Sequence, residues 1–166
     1  MEIIQNYKPE SYNLIYLAKP IYGGWVTFTA HLSHKYKYPL FKLSKKNESC
    51  TRNFGYNISY QNVTLEKILQ MENLIITALD KHYWDYLQYF PPSTKVIIHD
   101  PTELKTSKNN PNPLLTPEKK LLSEFKIITI RESVQRYISE NYSIQSEFLV
   151  HPFYKYPLDK TKDSVD

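Results

Sequence analysis

Two of the chain's three glycines stand side by side, Gly23-Gly24, between the uncharged apolar run Tyr12 to Ala18 and the amphipathic stretch Trp25 to Tyr36. A chain this poor in glycine places a doublet where a strand would hand over to a helix, the point at which backbone turns tightly and a ligand can approach closely. The doublet therefore predicts a strand, a binding loop and a helix in that order. It is not the dinucleotide fingerprint, because the third glycine of G-x-G-x-x-G is missing. A tight turn without a ligand accounts for a lone Gly-Gly equally well.

The remaining chain repeats the alternation. Trp25, Phe28, Leu32 and Tyr36 fall at helical spacing, Pro39 to Leu43 reads as a strand, and Lys45 to Arg52 is a polar connection. Phe54 to Tyr60 alternates apolar and polar residues, as an exposed or edge strand does. Thr64 can cap a helix from Leu65 that Asn73 ends, and Asn73 to Leu79 is the near-continuous apolar run of a strand covered on both faces. Asp80 can cap a helix with Tyr83, Trp84, Leu87 and Phe90 on its apolar side, stopped by Pro91-Pro92. Lys95 to Ile98 is a strand ending in His99-Asp100-Pro101; Thr102 to Thr116 reads as a surface loop, and Thr116-Pro117 opens a short helix through Phe125. A strand over Lys126 to Ile130, a helix over Arg131 to Asn141 and a last strand over Glu147 to Val150 complete the series. Strands alternating with helices predict an α/β fold: a single Rossmann-like doubly wound, mainly parallel sheet with helices on both faces. The expected organisation is an N-terminal extension over 1–11, the domain over 12–157 and a polar tail over 158–166.

Composition narrows the function classes. In 166 residues, 21 Lys and Arg stand against 17 Asp and Glu, a formal charge of +4 without a long basic block. That balance suits anionic ligands such as phosphates or nucleic acid and demonstrates neither. The single cysteine, Cys50, has no partner for an internal disulfide and no His/Cys cluster at metal spacing beside it. His31, His34, His82 and His151 likewise lack ligand partners, so no metal is expected. No run approaches the roughly 20 apolar residues of a membrane span, and Met1 to Ser11 lacks a signal-peptide core, so a cytoplasmic protein is expected.

In a parallel sheet the loops after the strands share one rim, and three of them carry candidate chemistry. Backbone N–H groups of Gly24 and Trp25 at a helix start suit a phosphate or a sugar hydroxyl. His99 and Asp100 can act as a general base or polarise an acceptor hydroxyl, although a turn at Asp100-Pro101 with His99 in the core is the blander alternative. Arg131 can pair with a phosphate, and Ser133 is read first as a helix cap. Tyr83, Trp84 and Tyr137 are read as packing and not as base-stacking platforms.

The stretches PIYGGWVTF (Pro20 to Phe28), KVIIHDP (Lys95 to Pro101), KIITIRESVQRYISENY (Lys126 to Tyr142) and FLVHPFYKYP (Phe148 to Pro157) occur in that order. Together they resemble the N-terminal, acceptor-side domain of GT-B-fold retaining glycosyltransferases, a group that includes glycogen-synthase-like enzymes and a phage DNA alpha-glucosyltransferase. The resemblance covers most of residues 12 to 157. It implies sugar transfer from a nucleotide sugar, used as co-substrate with no other cofactor, to a hydroxyl acceptor, with DNA among the acceptors. His99 and Asp100 would be catalytic, and Tyr22, Gly23, Gly24, Trp25, Arg131, Glu132 and Ser133 would bind substrate. In that family a C-terminal lobe holds most of the donor, and the chain ends at Asp166 where it would begin, so a second chain or a second copy is expected to supply it. The alternatives are a non-catalytic glycan-, nucleotide- or DNA-binding module, or a truncated inactive remnant.

Overall fold

A computed structural model of the chain describes residues 11–18, 24–44, 51–53, 58–99 and 122–149. Strand β1 (Asn13–Leu17) is followed by helix α1 (Gly24–Tyr36), β2 (Leu40–Leu43), β3 (Thr51–Asn53), β4 (Ser59–Val63) and α2 (Leu65–Leu69). Then come β5 (Leu74–Leu79), a 3₁₀ helix (Lys81–Tyr89), β6 (Lys95–Ile98), β7 (Lys126–Thr129), α3 (Glu132–Tyr142) and β8 (Ser146–Phe148). The strands form one sheet in the order β3-β4-β2-β1-β5-β6-β7-β8. Every neighbouring pair is parallel except β3 with β4, which is antiparallel at the edge. The chain is thus one Rossmann-like α/β domain.

Two apolar clusters lie on the two faces of this sheet. Leu14 and Tyr16 of β1 join Val26, Phe28, Ala30 and Leu32 of α1 on one face. Ile15 and Leu17, the alternate residues of the same strand, join Ile68, Trp84, Leu87, Val134 and Ile138 on the other. A strand with both faces covered tends to be apolar at successive positions, which is why β1, β5 and β6 read as near-continuous apolar runs, broken only by Asn13, Thr77 and Lys95. Strand β5 keeps its two faces sorted through a bulge. Ile15 pairs with Ile76 but Tyr16 pairs with Ala78, so Thr77 is an extra residue and the in-out alternation resets after it. Ile75 and Ala78 consequently face α1, whereas Ile76 and Leu79 face the other helices.

Among the described residues, the left-handed positions are held by residues other than glycine. Lys37 (φ 61°) follows α1, Asn73 (φ 56°) precedes β5, and Ser143 (φ 55°) caps the end of α3. The Ser143 N–H donates to the Ser139 carbonyl at 3.1 Å.

Several expectations are corrected. Of the exposed or edge strand expected over Phe54 to Tyr60, residues 54–57 lie outside the described residues; the described strand there is Ser59–Val63, which is not at the edge because β3 pairs on its outer side. The polar connection Lys45 to Arg52 includes the start of β3. Helix α2 does begin behind Thr64, whose Oγ1 accepts from the Lys67 N–H at 3.4 Å, but it ends at Gln70 before Asn73. The helix after Asp80 is 3₁₀ and not α. The loop expected over Thr102 to Thr116 lies outside the described residues, and only Leu122–Ser123 of the helix expected to follow it are described as helical.

Candidate functional site

Parallel pairing puts the ends of β1, β5, β6 and β7 on one rim, and the direction of strand addition reverses between β1 and β5. The chain leaves β1 through α1 toward β2 on one face, and leaves β5 toward β6 through the 3₁₀ helix on the opposite face. In sheets of this topology such a switch point is where a crevice forms and ligands sit; residues 19–23, which follow β1 there, lie outside the described residues. The Asp80 N–H donates to the Leu17 carbonyl at 2.8 Å, closing the floor of the crevice between the two strand ends.

Helix α1 opens at the crevice with Gly24, which is exposed. A Cβ built on Gly24 would meet nothing within 4 Å, and its backbone lies outside the left-handed region. Neither packing nor conformation therefore demands glycine at this position. No acidic residue occupies the first turn of α1, so the positive end of the helix dipole is not neutralised from within. Trp25 is half-buried and packs against the cluster beneath α1.

His99 follows β6 and is 7% exposed. Its Nε2 lies 2.7 Å from the Thr77 carbonyl oxygen. A carbonyl can only accept, so Nε2 carries the proton and donates. The bulge supplies that carbonyl, because an extra residue leaves the ladder locally unpaired. The ring also stands edge-on to Phe28, with centroids 4.8 Å apart and planes at 88°. On α1 the next residue, Thr29, donates from its hydroxyl to Thr77 Oγ1 at 2.9 Å. His99 and Thr29 together clamp the β5 bulge between β6 and α1. A proton-accepting role for His99 would have to run through Nδ1.

Asp80 also adjoins two phenols. Burial, with the Asp80 carboxylate and Tyr83 adding to it, pushes the Tyr16 hydroxyl well above the ordinary tyrosine value of 10.0. Tyr83 is raised by burial, by Asp80 and by Tyr86, in that order. Both therefore stay neutral at physiological pH.

The third expected element lies farther along the rim. β7 is three strands from β1, roughly 14 Å at the usual spacing. Arg131, Glu132 and Ser133 are exposed at the start of α3. Arg131 occupies the N-cap without a side-chain cap hydrogen bond, and its carbonyl accepts from the Gln135 N–H at 3.1 Å. Ser133 is thus not the cap that the sequence suggested, since it lies inside the first turn, where its hydroxyl has passed the orphan N–H groups it would have served. Tyr22, Gly23 and Asp100 lie outside the described residues.

Two features escaped sequence reading. Asp80 looked like a helix cap, and only the strand order places its carboxylate at the crevice. The 3₁₀ helix also regroups its aromatic side chains, because 3.0 residues per turn eclipses positions i and i+3. Trp84, Leu87 and Phe90 form the buried row. Tyr83, Tyr86 and Tyr89 form the next, with Tyr89 at 55% exposure.

Among the described residues, no group of His, Cys, Asp or Glu stands together as a metal site, and no helix is long and apolar enough to cross a membrane. The fold defines the chain as a Rossmann-like α/β domain with a topological switch point between β1 and β5. No protein-family model, curated protein or solved structure matches the chain, so the resemblance to glycosyltransferases stands on the motifs quoted above.

Proposed function

We propose that the crevice between β1 and β5 takes the diphosphate of a nucleotide sugar at the start of α1, and that the domain serves sugar transfer to a hydroxyl acceptor. The observation that carries this reading is Gly24: an exposed residue at the first turn of a helix with no internal acid, kept free of a side chain that the fold has room for. Such a helix end offers unsatisfied N–H groups and a positive partial charge to an anion. In transfer, the acceptor oxygen bonds to the anomeric carbon, the bond from that carbon to the diphosphate breaks, the hydroxyl proton passes to a base on the rim, and the nucleoside diphosphate leaves. The start of α1 would stabilise the charge growing on that leaving group. A donor lobe, on this chain's continuation or on another chain, would complete the site and exclude water.

Calorimetric titration with UDP-glucose, ADP-glucose and GDP-mannose tests the reading. Binding by the unaltered protein that falls at least about tenfold in Gly24→Val, with unchanged thermal melting, is the expected result. Absence of binding to all three, or equal binding by the variant, would remove the α1 start as a phosphate site. Binding without turnover after a donor lobe is added would favour a non-catalytic module, and a steep loss of affinity for duplex DNA with salt would mark DNA as the acceptor.

A further inference from the structure

We infer that the tyrosine row of the 3₁₀ helix, Tyr83, Tyr86 and Tyr89, is a binding surface for an unbranched neutral sugar chain. The helix is nine residues long, whereas 3₁₀ runs beyond three or four residues are uncommon because their hydrogen-bond geometry is poor. Its length has one clear consequence for the side chains. In an α-helix Tyr83 and Tyr89 would diverge by about 120°, but at three residues per turn the three rings share one face. The Tyr83 and Tyr86 rings are 5.7 Å apart and tilted by 35°, in keeping with one 3₁₀ turn between them.

The row is anchored at one end and open at the other. Tyr83 and Tyr86 are half-buried and pack in part against the core, whereas Tyr89 is the more exposed of the two large apolar side chains that stand out on the described surface. It begins next to Asp80, at the crevice itself, so a chain lying on it would lead into the rim. Phenol rings suit the C–H faces of pyranoses and keep a hydroxyl for hydrogen bonding. Beside them, exposed Asp85 offers a carboxylate to sugar hydroxyls, and Gln88, whose Nε2 already donates to the Asp85 carbonyl at 2.9 Å, offers its Oε1 as an acceptor. In sequence the segment 80–90 carries two acids, Asp80 and Asp85, against one lysine, Lys81, so it offers a phosphate backbone no basic stripe, which favours a neutral glycan over nucleic acid. As an acceptor subsite the row rests on the sugar-transfer reading above; as a glycan surface it is measured independently of it.

Amide-resolved NMR titration with maltoheptaose and cellohexaose to about 10 mM tests the surface, with an expected Kd near 1 mM. Shift changes should cluster over residues 80–90 for at least one of the two. Tyr89→Ala and Tyr86→Ala should each weaken binding by about fivefold to tenfold, whereas Tyr86→Phe, which keeps the ring, should stay within about twofold. Tyr89 is exposed enough that its replacement should leave melting unchanged. Gly24→Val should leave glycan binding intact, so that failure of the nucleotide-sugar site and failure of the row are told apart. No shifts with either sugar chain, shifts confined to another surface, or loss of glycan binding in Gly24→Val would overturn the proposal. So would an oligothymidylate that takes the row while the sugar chains do not, or a dimer in sedimentation that Tyr89→Ala abolishes.

Discussion

Helices α1 and α3 both start at the carboxyl rim, yet they meet it in different ways. α1 begins with a bare glycine, carries no acid in its first turn and buries seven residues, including Thr29, His31 and Ser33. α3 begins behind exposed Arg131, carries Glu132 in its first turn and buries only Val134, Ile138 and Tyr142. Glu132 already answers the dipole of α3, and an incoming phosphate would meet that negative charge. The contrast separates a helix built into the core with an open end from an amphipathic helix laid over the sheet with its end already compensated. On the proposed reading it favours α1 over α3 as the place for an anion and leaves Arg131 as a more distant charge.

The largest effect should come from the core side of α1. Phe28→Ala removes a ring that is 1% exposed and braces His99, and it should cost about 3–5 kcal/mol in urea unfolding. A cost under about 1 kcal/mol would mean that α1 is held no more firmly than a surface helix. His99→Leu should cost about 1–3 kcal/mol, because the Thr77 carbonyl keeps its burial and loses its donor. If that variant melts like the parent, the clamp on the bulge is not what holds α1 and β6 in register.

A pH-gated effect comes next. Tyr16 titrates higher in the folded chain than in the unfolded one, so the stability tied to its neutral phenol is fully present below the ordinary value of 10.0 and is lost as pH rises past it. Tyr16→Phe should therefore flatten the alkaline fall of the melting temperature. An unchanged alkaline limb would place the loss elsewhere.

The smallest effects compare the two helix starts directly. Gly24→Asp should raise stability by about 0.3–1 kcal/mol through the dipole while weakening nucleotide-sugar binding, and Glu132→Gln should lower stability by a similar amount without touching that binding. If Glu132→Gln instead tightens the ligand, the anion lies at α3 and the comparison reverses.

Much of this was readable in the chain. The sequence places β6 at its observed bounds, and β1 and β5 to within a residue at each end, because strands buried on both faces are apolar at nearly every position and leave a clear run. The short, half-polar strands give no such signal, so the sequence reads the start of β3 as part of a connection and the region of β4 as an exposed or edge strand. The 3₁₀ helix was misread because Trp84, Leu87 and Phe90 satisfy a period of 3.6 nearly as well as one of 3.0; the three tyrosines are what tell the periods apart. Arg131 at the cap, with Ser133 past it, shows how a one-residue change in a helix start reassigns a side chain's role.

Local preference and apolar patterning, which act over a few neighbouring residues, were enough for the sequence to determine the alternation of strands and helices and the placing of a glycine at the opening of α1. The order in which those strands pair was decided by contacts between residues far apart in the chain. That order brings Asp80 beside Leu17, turns His99 inward onto a carbonyl freed by the Thr77 bulge, and separates Arg131 from Gly24 by three strands. Such arrangements depend on which buried polar group finds a partner in three dimensions, and no spacing along the chain encodes that choice.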